Sequence, residues 1–440
     1  MEFVTDLHLH SKYSRAVSKD MNLYNMALWG TKKGLDVLST ADWTHPLWRR
    51  EIQEELVEDT QGIFRFKDNK DFKTRFFLSV EISSIYTQNG RVHRIHNLVF
   101  SPNMETCEKI AAELVKRGCN LSSDGRPIIG LSSIQLAELV FSINKDAMVI
   151  PCHAWTPWFA LYGSNSGFDS IEDCFGEYAN QIYGVETGLS SDPYMNWQIK
   201  ELANRSLLSF SDAHSMAKMG REATVFVPKE ENPKFEITYK DITDAIKQKS
   251  DAKLKIGYTI EFYPEEGKYH FTGHRNCNFV QNPKETRESG NICPVCHKPL
   301  TVGVMHRVEE LAKMQKWPDE VFKLNQNGVK WIMDANKKHP PFVKLVPLNE
   351  IIAESLHSTV VSQKVKTLFD ELCLKFGSEM NVLLKISKED IEREAGPRVA
   401  EGVEKVRRGD IAILPGYDGQ YGIVKIWGDE KPKAQLAIDF

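Results

Sequence analysis

The sequence predicts an α/β protein, with a large β/α domain followed by a small metal-stabilised module and a helical carboxyl-terminal region. The first ~260 residues alternate short β-rich runs with amphipathic helical stretches, and a cysteine cluster follows them. At 440 residues the chain is about three times the ~150 residues of a usual domain, so two or three domains are expected. Its 41% hydrophobic and 26% charged residues exclude a disordered or a fibrous protein.

The first domain is predicted over residues 1–262, where the alternation of strands and helices favours a parallel α/β sheet or a barrel. The expected strands are Phe3–His8, Leu35–Ser39, Arg75–Val80, Arg94–Phe100, Ala147–Pro151, Gln181–Val185 and Leu207–Ser211. The expected helices between them include Leu23–Lys33, Glu105–Arg117, Ile134–Ser142 and Tyr194–Asn204.

Two smaller regions are predicted after the first domain, a zinc-ribbon module over residues 263–302 and a helical region over residues 303–440. Within the helical region, Glu350–Ser362 and Val365–Phe376 are expected to form helices. The segments Ile411–Leu414 and Gly422–Trp427 flank the turn sequence Pro415–Gly419. This arrangement predicts a β-hairpin near the end of the chain.

Charge and hydropathy limit the classes of function. A net charge of −4 does not by itself indicate a nucleic-acid binder. No apolar run reaches the roughly 18 residues of a membrane helix, and the amino terminus lacks the pattern of a secretory signal. We therefore expect a cytoplasmic protein without a membrane partner, in which the isolated cysteines are reduced and buried.

Candidate metal ligands begin with His8 and His10, which are two residues apart in a predicted strand. Side chains at this spacing point to the same face of a strand, so both imidazoles can reach one ion. An H-x-H pair alone is weak evidence, because either histidine can equally be an ordinary core or surface residue.

Further histidines and carboxylates lie at or near the carboxyl ends of predicted strands or, for His96, within one. They are Glu81, His96, His153, Asp212 and His214, together with Asp42 and His45. In a β/α barrel the carboxyl ends of the strands meet on one face, where active sites lie. The regular position of these residue types after strands predicts a metal site on that face.

The mixture of imidazoles and carboxylates favours Zn²⁺, Mn²⁺ or Fe²⁺ over Ca²⁺. Nine candidate ligands are too many for one ion, so two or three ions bridged by a carboxylate are expected. Clustered ions of this kind activate a water and stabilise the attacking and leaving oxygens of a phosphate ester. Zinc is the expected active-site metal, and Mg²⁺ or Mn²⁺ is a further candidate for supporting activity.

A second ligand group is formed by His274, Cys277, Cys293 and Cys296. A C-x-x-C pair with a second knuckle sixteen residues earlier has the spacing of a structural zinc ribbon. The alternative is a redox C-x-x-C, although no βαβ context surrounds it. His270 and His297 remain alternatives to His274 as the fourth ligand.

Basic and aromatic residues are interleaved around these cysteines, a composition suited to binding phosphates and stacking on bases. The DNA-contact candidates are Lys268, His270, Arg275 and Arg307. The alternative is an ordinary solvated surface. Trp43, Trp155 and Trp158 follow predicted ligand strands and are candidates for a base pocket, with core packing as their alternative role.

The segment Asp6–Ser14, the Glu81 and His96 strands, His153 and Asp212-Ala213-His214 together resemble the polymerase and histidinol phosphatase (PHP) domain. The resemblance implies a distorted β/α barrel with a trinuclear metal centre that hydrolyses phosphate esters.

Transferred by position, His8, His10, Glu81 and Asp212 would hold one ion. Glu81 would bridge to a second ion held by His96 and His153. His214 would serve a third ion with Asp42 or His45; this site departs from the family pattern, because Asp42 is followed by Trp43 rather than His. The resemblance thus implies catalytic roles for His8, His10, Glu81, Asp212 and His214.

A narrower resemblance covers nearly the whole chain. The segments Tyr263–His270, Gly273–Cys277, Cys293–Cys296 and Pro415–Gly419 are similar to the endonuclease Q family. That resemblance implies cleavage of DNA immediately 5′ to deaminated bases (uracil, hypoxanthine, xanthine) and abasic sites, with the damaged base flipped out of the helix.

Two other functions remain open from the residues alone. A small-molecule phosphatase of the histidinol-phosphate type would need only the first domain, and would leave some 200 residues without a role. A non-catalytic PHP module would not need so complete a ligand set. The sequence does not indicate a protein partner such as a sliding clamp.

Overall fold

The computed structural model shows a mixed α/β fold and describes residues 1–68, 71–232, 234–314 and 316–428. The chain divides into two compact units. Unit 1 contains Met1–Thr31, Leu35–Gly188 and Pro193–Thr259, and unit 2 contains Lys32–Gly34, Leu189–Asp192 and Ile260 onward. Within the described residues, no helix is both long and apolar enough to span a bilayer. The division into three consecutive sequence domains stays a prediction.

Unit 1 is built from short strands and helices, and the last two residues of the helix Leu23–Lys33 and of the strand Leu254–Glu261 are assigned to unit 2. Its strands are β1 (Phe3–Asp6), β2 (Val37–Ser39), β3 (Leu56–Thr60), β4 (Ile63–Phe66), β5 (Arg75–Phe77), β6 (Ser79–Gln88), β7 (Arg91–Phe100), β8 (Ile128–Ile129), β9 (Met148–Pro151), β10 (Gly184–Glu186), β11 (Ser206–Leu208), β12 (Ala223–Pro228) and β13 (Leu254–Glu261). Its α-helices are α1 (Leu23–Lys33), α2 (Pro46–Glu55), α3 (Met104–Lys116), α4 (Ser133–Ile143), α5 (Ile171–Phe175), α6 (Pro193–Asn196) and α7 (Tyr239–Ile246).

The strands of unit 1 form mixed rather than purely parallel sheets. One sheet has the order β13-β12-β1-β2-β5-β4-β3, in which β1, β2 and β5 are parallel while β12 and β4 are antiparallel to their neighbours. A second has the order β8-β6-β7-β9, and β10 and β11 form a parallel pair. Between them lies an apolar core that includes Leu7, Phe77, Phe100, Ile150 and Phe210.

Several boundaries differ from those expected. The strand β1 ends at Asp6, so His8 and His10 follow it, and extended pairing continues through a bridge between Leu9 and Ala213. The expected strand Arg75–Val80 is broken at Leu78, which makes Glu81 the third residue of β6. The expected helix Tyr194–Asn204 consists of α6 and a 3-10 turn, Lys200–Leu202.

Unit 2 contains two antiparallel hairpins, a three-stranded antiparallel group and a helical bundle. Its strands are β14 (Thr272–His274), β15 (Phe279–Gln281), β16 (Val321–Leu324), β17 (Lys330–Met333), β18 (Phe342–Lys344), β19 (Ala412–Leu414) and β20 (Ile423–Lys425). Its α-helices are α8 (Pro283–Ser289), α9 (Val304–Ala312), α10 (Leu348–Ser355), α11 (Gln363–Phe376), α12 (Glu379–Leu384), α13 (Lys388–Ala395) and α14 (Pro397–Arg408). The hairpin expected around Pro415–Gly419 is present as β19 and β20.

Buried charges hold the helical part of unit 2 together. The guanidinium of Arg407 donates to the carbonyls of Val382, Leu383 and Ile386, which satisfies the carboxyl end of α12. Burial lowers the pKa of this guanidinium to about 10. The ammonium of Lys33 lies 2.5 Å from a carboxylate oxygen of Glu379, and both side chains are almost fully buried. Such groups are costly to bury unless each hydrogen bond is made.

Candidate metal centre and cysteine cluster

The first part of the candidate centre is formed by residues that follow β1 and β11. His8 and His10 are 1% and 0% exposed. The Nε2 atom of His10 lies 3.0 Å from Asp212 Oδ1 and 3.3 Å from Glu81 Oε2. The Nε2 atom of His8 lies 3.7 Å from each of the same two carboxylate oxygens. His8, His10 and Asp212 therefore present their ligand atoms within 4.8 Å of one another, a spacing that can hold an ion.

Glu81 joins this group to a second one. Its Oε1 atom lies 2.5 Å from His96 Nδ1 and 3.1 Å from His153 Nε2, while its Oε2 atom faces His8 and His10. Glu81, His96 and His153 form another set of ligand atoms within 4.8 Å. One carboxylate thus faces both ligand sets, as a bridging ligand must.

Asp42, His45 and His214 lie at the edge of these groups. Asp42 Oδ1 is 3.5 Å from His10 Nδ1, and its Oδ2 accepts hydrogen bonds from the backbone and hydroxyl of Ser11. The ring of His214 packs 4.7 Å from that of His10. His45 instead caps the amino terminus of α2 and stacks on Tyr13 at 4.4 Å. The described ligand groups do not include His45, His214 or Asp42.

Four polar atoms in this region fit a bound cation. His8 Nε2, His10 Nδ1, His153 Nδ1 and Asp42 Oδ1 are buried and have no hydrogen-bond partner among the described residues. A buried unpaired acceptor costs about 1–3 kcal/mol, so an arrangement that leaves several in one place is unfavourable by itself. Imidazole nitrogens and carboxylate oxygens are the ligands that zinc and related divalent ions take. The residues present therefore fit a metal centre.

The pKa shifts of three residues in the centre show how burial and neighbouring charges act there. Burial lowers the pKa of His96 to about 4, so its ring is neutral at pH 7, the form that binds a metal. Burial also disfavours the charge on His8, but the carboxylates of Glu186 and Asp212 outweigh it and raise the pKa of His8 well above its ordinary value. Burial opposes ionisation of Asp212 as well, yet His10 and His8 lower its pKa. The site gathers negative charge that only positive neighbours stabilise.

The backbone is strained at three of these residues. Asp42, His153 and Asp212 have positive φ angles of 39°, 27° and 48°. Residues other than glycine adopt such angles at a cost of order 1–3 kcal/mol, and only where the surroundings impose them. Each of the three side chains contacts His10 or Glu81 of the candidate centre.

Two residues outside the candidate set contact the predicted ligands, Glu186 and Arg126. Glu186 ends β10; its carboxylate accepts from His8 Nδ1 at 2.9 Å and from the backbone of His153 at 2.7 Å. A carboxylate behind a ligating histidine fixes the ring orientation, so this is a positioning role. Arg126 Nη1 donates to Glu81 Oε2 at 3.1 Å, and no local sequence pattern indicated it.

The three candidate tryptophans are placed differently. Trp43 and Trp155 are 0% and 1% exposed, and Trp155 donates to Asn196 and packs on Tyr162. Both therefore occupy core positions in the described structure. Trp158 is partly exposed. Of the three, only Trp158 presents surface to a ligand.

The cysteine cluster is built on the β14–β15 hairpin and a following knuckle. His274, Cys277, Cys293 and Cys296 have ligand atoms within 4.8 Å of one another, and His274 Nδ1 lies 3.3 Å from Cys296 Sγ. Although desolvation opposes it, backbone N–H groups of Cys296 and Val295 help lower the pKa of Cys293 to about 6, which favours the thiolate that binds metal. The described group contains neither His270 nor His297.

The candidate DNA-contact residues are also placed unequally. Arg275 is exposed, and its backbone N–H donates to Asp418. Lys268 lies 4.5 Å over the ring of Tyr421, and Arg307 pairs with Glu310. His270 is only 4% exposed, and burial lowers its pKa. The structure therefore leaves Arg275 most accessible and His270 within the interior.

A family model described as the MJ0043 C-terminal domain matches residues 347–410, which run from the start of α10 to the end of α14. The uncharacterized protein MJ0043 of Methanocaldococcus jannaschii is 32% identical over 272 residues, or 61% of this chain. This region is 31% of MJ0043, so the chain spans about a third of the length of that relative.

The crystal structure of the lesion-specific endonuclease PfuEndoQ from Pyrococcus furiosus matches with a TM-score of 0.80 and 30% identity, covering 100% of both chains. The chain belongs to the endonuclease Q family. A second endonuclease Q structure, in complex with a 27-mer duplex substrate with an abasic lesion at the active site, has the same TM-score and identity and covers 99% of this chain. These matches confirm the resemblance to the endonuclease Q family that the sequence motifs indicate.

Proposed function

We propose that the protein is a DNA repair endonuclease that hydrolyses the phosphodiester bond 5′ to deaminated bases (uracil, hypoxanthine, xanthine) and 5′ to abasic sites. The observation that carries the proposal is the convergence of buried imidazoles and carboxylates around Glu81, in a chain that matches a lesion-specific endonuclease over its whole length. The neighbour that contains an abasic duplex supports DNA as the substrate class.

In this proposal, His8, His10 and Asp212 would hold one ion and His96 and His153 another, and Glu81 would contribute to both sets. His214 would serve a third ion with Asp42 or His45. Bound divalent cations supply Lewis acidity for the hydrolysis of a phosphate ester. Glu186 keeps the His8 ring in a fixed orientation through its contact with Nδ1, so that Nε2 faces the centre.

Two finer structural assignments belong to the same proposal. Unit 1 is taken as a PHP-type barrel, supported by the ligand residues that follow β1, β9 and β11. The cysteine cluster is taken as a zinc ribbon, supported by its four converging ligand atoms on a hairpin and a knuckle. A closed four-ligand site of this type is structural and contributes folding energy to its module.

Recognition of damage is proposed to use base flipping, since a base inside the stack hides its altered edge. Deaminated bases pair poorly and an abasic site has no base to unpair, which lowers the cost of extrusion. Of the three candidate tryptophans, Trp158 is the one that is partly exposed, and it is proposed to stack against the extruded nucleotide.

The test uses end-labelled duplexes that contain one uracil, one hypoxanthine, one abasic site or only normal bases, with Mg²⁺ or Mn²⁺. A repair endonuclease should make a single nick 5′ to each lesion and leave the normal duplex intact. An unspecific nuclease should degrade all four alike. Intact lesion duplexes with every metal, together with hydrolysis of small phosphate monoesters, would instead indicate the phosphatase.

A further inference from the structure

Arg126 stands beside the candidate centre with most of its hydrogen-bonding capacity unused. A guanidinium has five N–H donors, and the Nη1 atom of Arg126 uses one of them on Glu81. Among the described residues, its guanidinium has no other acceptor within hydrogen-bonding distance. The side chain is 27% exposed, so the remaining donors border solvent while one edge is anchored beside the candidate ligands.

The loop that carries Arg126 is fixed on both sides. Asp124 accepts from the backbone of Arg15 and of Arg126, each at 3.2 Å. Gly125 donates to the carbonyl of Tyr13 at 3.1 Å, and the carbonyl of Pro127 accepts from Ser83 at 3.0 Å. This bonding sets the position of Arg126 before any ligand arrives.

Gly125 adds a steric reason for the position of the loop. A Cβ atom at Gly125 would collide with the carboxylate of Asp42 and the hydroxyl of Ser14. The loop backbone therefore lies directly against Asp42, and the next residue, Arg126, contacts Glu81 of the centre. Electrostatic stabilisation is most effective when donors are held in place in this way, since no reorganisation is needed during reaction.

We propose that Arg126 binds the non-bridging oxygens of the phosphate that is cleaved, as a catalytic residue of the proposed hydrolysis. An anion is the ligand that fits a partly exposed guanidinium with unused N–H groups, and two oxygens of a phosphodiester can accept from it side by side. The ion pair with Glu81 orients the guanidinium. Its free edge then stabilises the negative charge on the non-bridging oxygens of the phosphate while water attacks phosphorus.

This inference rests on the proposed phosphodiester hydrolysis but not on the identity of the lesion. The main variants are Arg126→Gln, which removes the charge, and Arg126→Lys, which keeps the charge but loses the bidentate edge. Arg117→Gln is the matched control, because Arg117 lies at the end of α3 and pairs with Glu113 rather than with a residue of the centre.

Three readouts separate a phosphate contact from a purely structural role. The first is bound metal by elemental analysis, with thermal unfolding to verify the fold. The second is the affinity of the metal-loaded protein for inorganic phosphate by isothermal titration. The third is nicking of an abasic duplex under saturating conditions. Arg126→Gln should keep wild-type metal content, weaken phosphate binding at least tenfold and lower kcat by about 10²–10³. Arg126→Lys should recover only part of each loss, and Arg117→Gln should behave as wild type.

Four outcomes would overturn the inference: phosphate affinity unchanged in Arg126→Gln, loss of metal in Arg126→Gln or Arg126→Lys, a wild-type protein that binds no phosphate, or normal nicking by Arg126→Gln. Loss of metal would mean that Arg126 only holds Glu81 in place. Failure of the proposed function can be distinguished from failure of this inference. In that case the wild-type protein would nick no lesion duplex, and the phosphate titration would still test the role of Arg126. Normal nicking by Arg126→Gln would leave the function standing and remove the inference.

Discussion

The two candidate metal sites differ in their ligand types and in how far apart their ligands lie in the sequence. In unit 1, imidazoles and carboxylates come from loops and strands spread over some 200 residues, and the backbone is strained at Asp42, His153 and Asp212. In unit 2, three cysteines and one histidine come from a span of 23 residues, on a hairpin and a knuckle. The first site depends on a completed fold, whereas the second can organise its own local fold around an ion.

The largest effect is expected at the unit 1 centre. Asp212→Asn should reduce nicking at least 10³-fold, because it removes a charged ligand that faces both His8 and His10. Thermal unfolding and affinity for an abasic duplex should change little, since most binding comes from phosphate contacts elsewhere. His10→Ala should behave in the same way. Full activity of Asp212→Asn would place the chemistry outside this centre.

Removing the cysteine cluster of unit 2 should weaken duplex binding but not phosphodiester hydrolysis. The double variant Cys293→Ala with Cys296→Ala should release one zinc ion and unfold the hairpin module, so that duplex binding weakens by tenfold or more in a titration by fluorescence anisotropy. Hydrolysis of a simple phosphodiester such as bis(p-nitrophenyl) phosphate should persist. Loss of that hydrolysis together with duplex binding would show that the two regions are not independent.

A smaller effect is expected where a residue supports a ligand without being one. Glu186→Gln keeps the shape of the side chain but removes the charge that orients His8, so a 10–100-fold loss of activity or metal affinity is expected. Added metal should restore part of the activity. Asp173→Asn serves as a control, since Asp173 is an exposed residue of α5. An unchanged metal titration and rate in Glu186→Gln would argue against the positioning role.

The smallest effect concerns acid stability in unit 2. Burial lowers the pKa of His270 in the folded protein, so the unfolded chain, with an ordinary pKa near 6.5, binds the proton first. The free energy of unfolding should therefore fall as the pH drops below about 6.5, by at most about 1.4 kcal/mol per pH unit from this residue. Chemical denaturation at pH 7.5 and 5.5 should show a weaker dependence in His270→Gln. Equal slopes in both proteins would exclude a contribution from His270.

Residue types at strand ends were enough to indicate most of the unit 1 centre, because His8, His10, His153 and Asp212 lie just beyond short buried strands. Glu81 was expected to follow a strand Arg75–Val80, and this part of the prediction is wrong. The strand breaks at Leu78, and Glu81 lies inside the next strand, β6. The cysteine spacing indicated the second cluster directly, because that site is local in sequence.

What the sequence could not indicate depends on tertiary contacts. Arg126 reaches Glu81 across 45 positions and His8 reaches Glu186 across 178, and no local pattern encodes either pairing. In the structure His45 caps α2, a role that a polar side chain before Pro46 can take, and its role as a metal ligand stays a prediction. The exposed fraction of each tryptophan follows from packing around it, which hydrophobic periodicity does not resolve.

The segments that make up unit 2 determine whether a carboxyl-terminal fragment can be expressed alone. Unit 2 includes Lys32–Gly34 from the end of α1 and the short segment Leu189–Asp192, in addition to the chain from Ile260 onward. A fragment that begins at residue 260 would leave the carboxylate of Glu379 in the interior without the ammonium of Lys33, and Lys344 without Asp192. Breaking a buried pair in this way costs about 3–5 kcal/mol, a large share of the stability of a typical domain. Expression of the carboxyl-terminal part alone should therefore yield poorly soluble protein unless those acidic and basic partners are replaced together by apolar residues of similar volume.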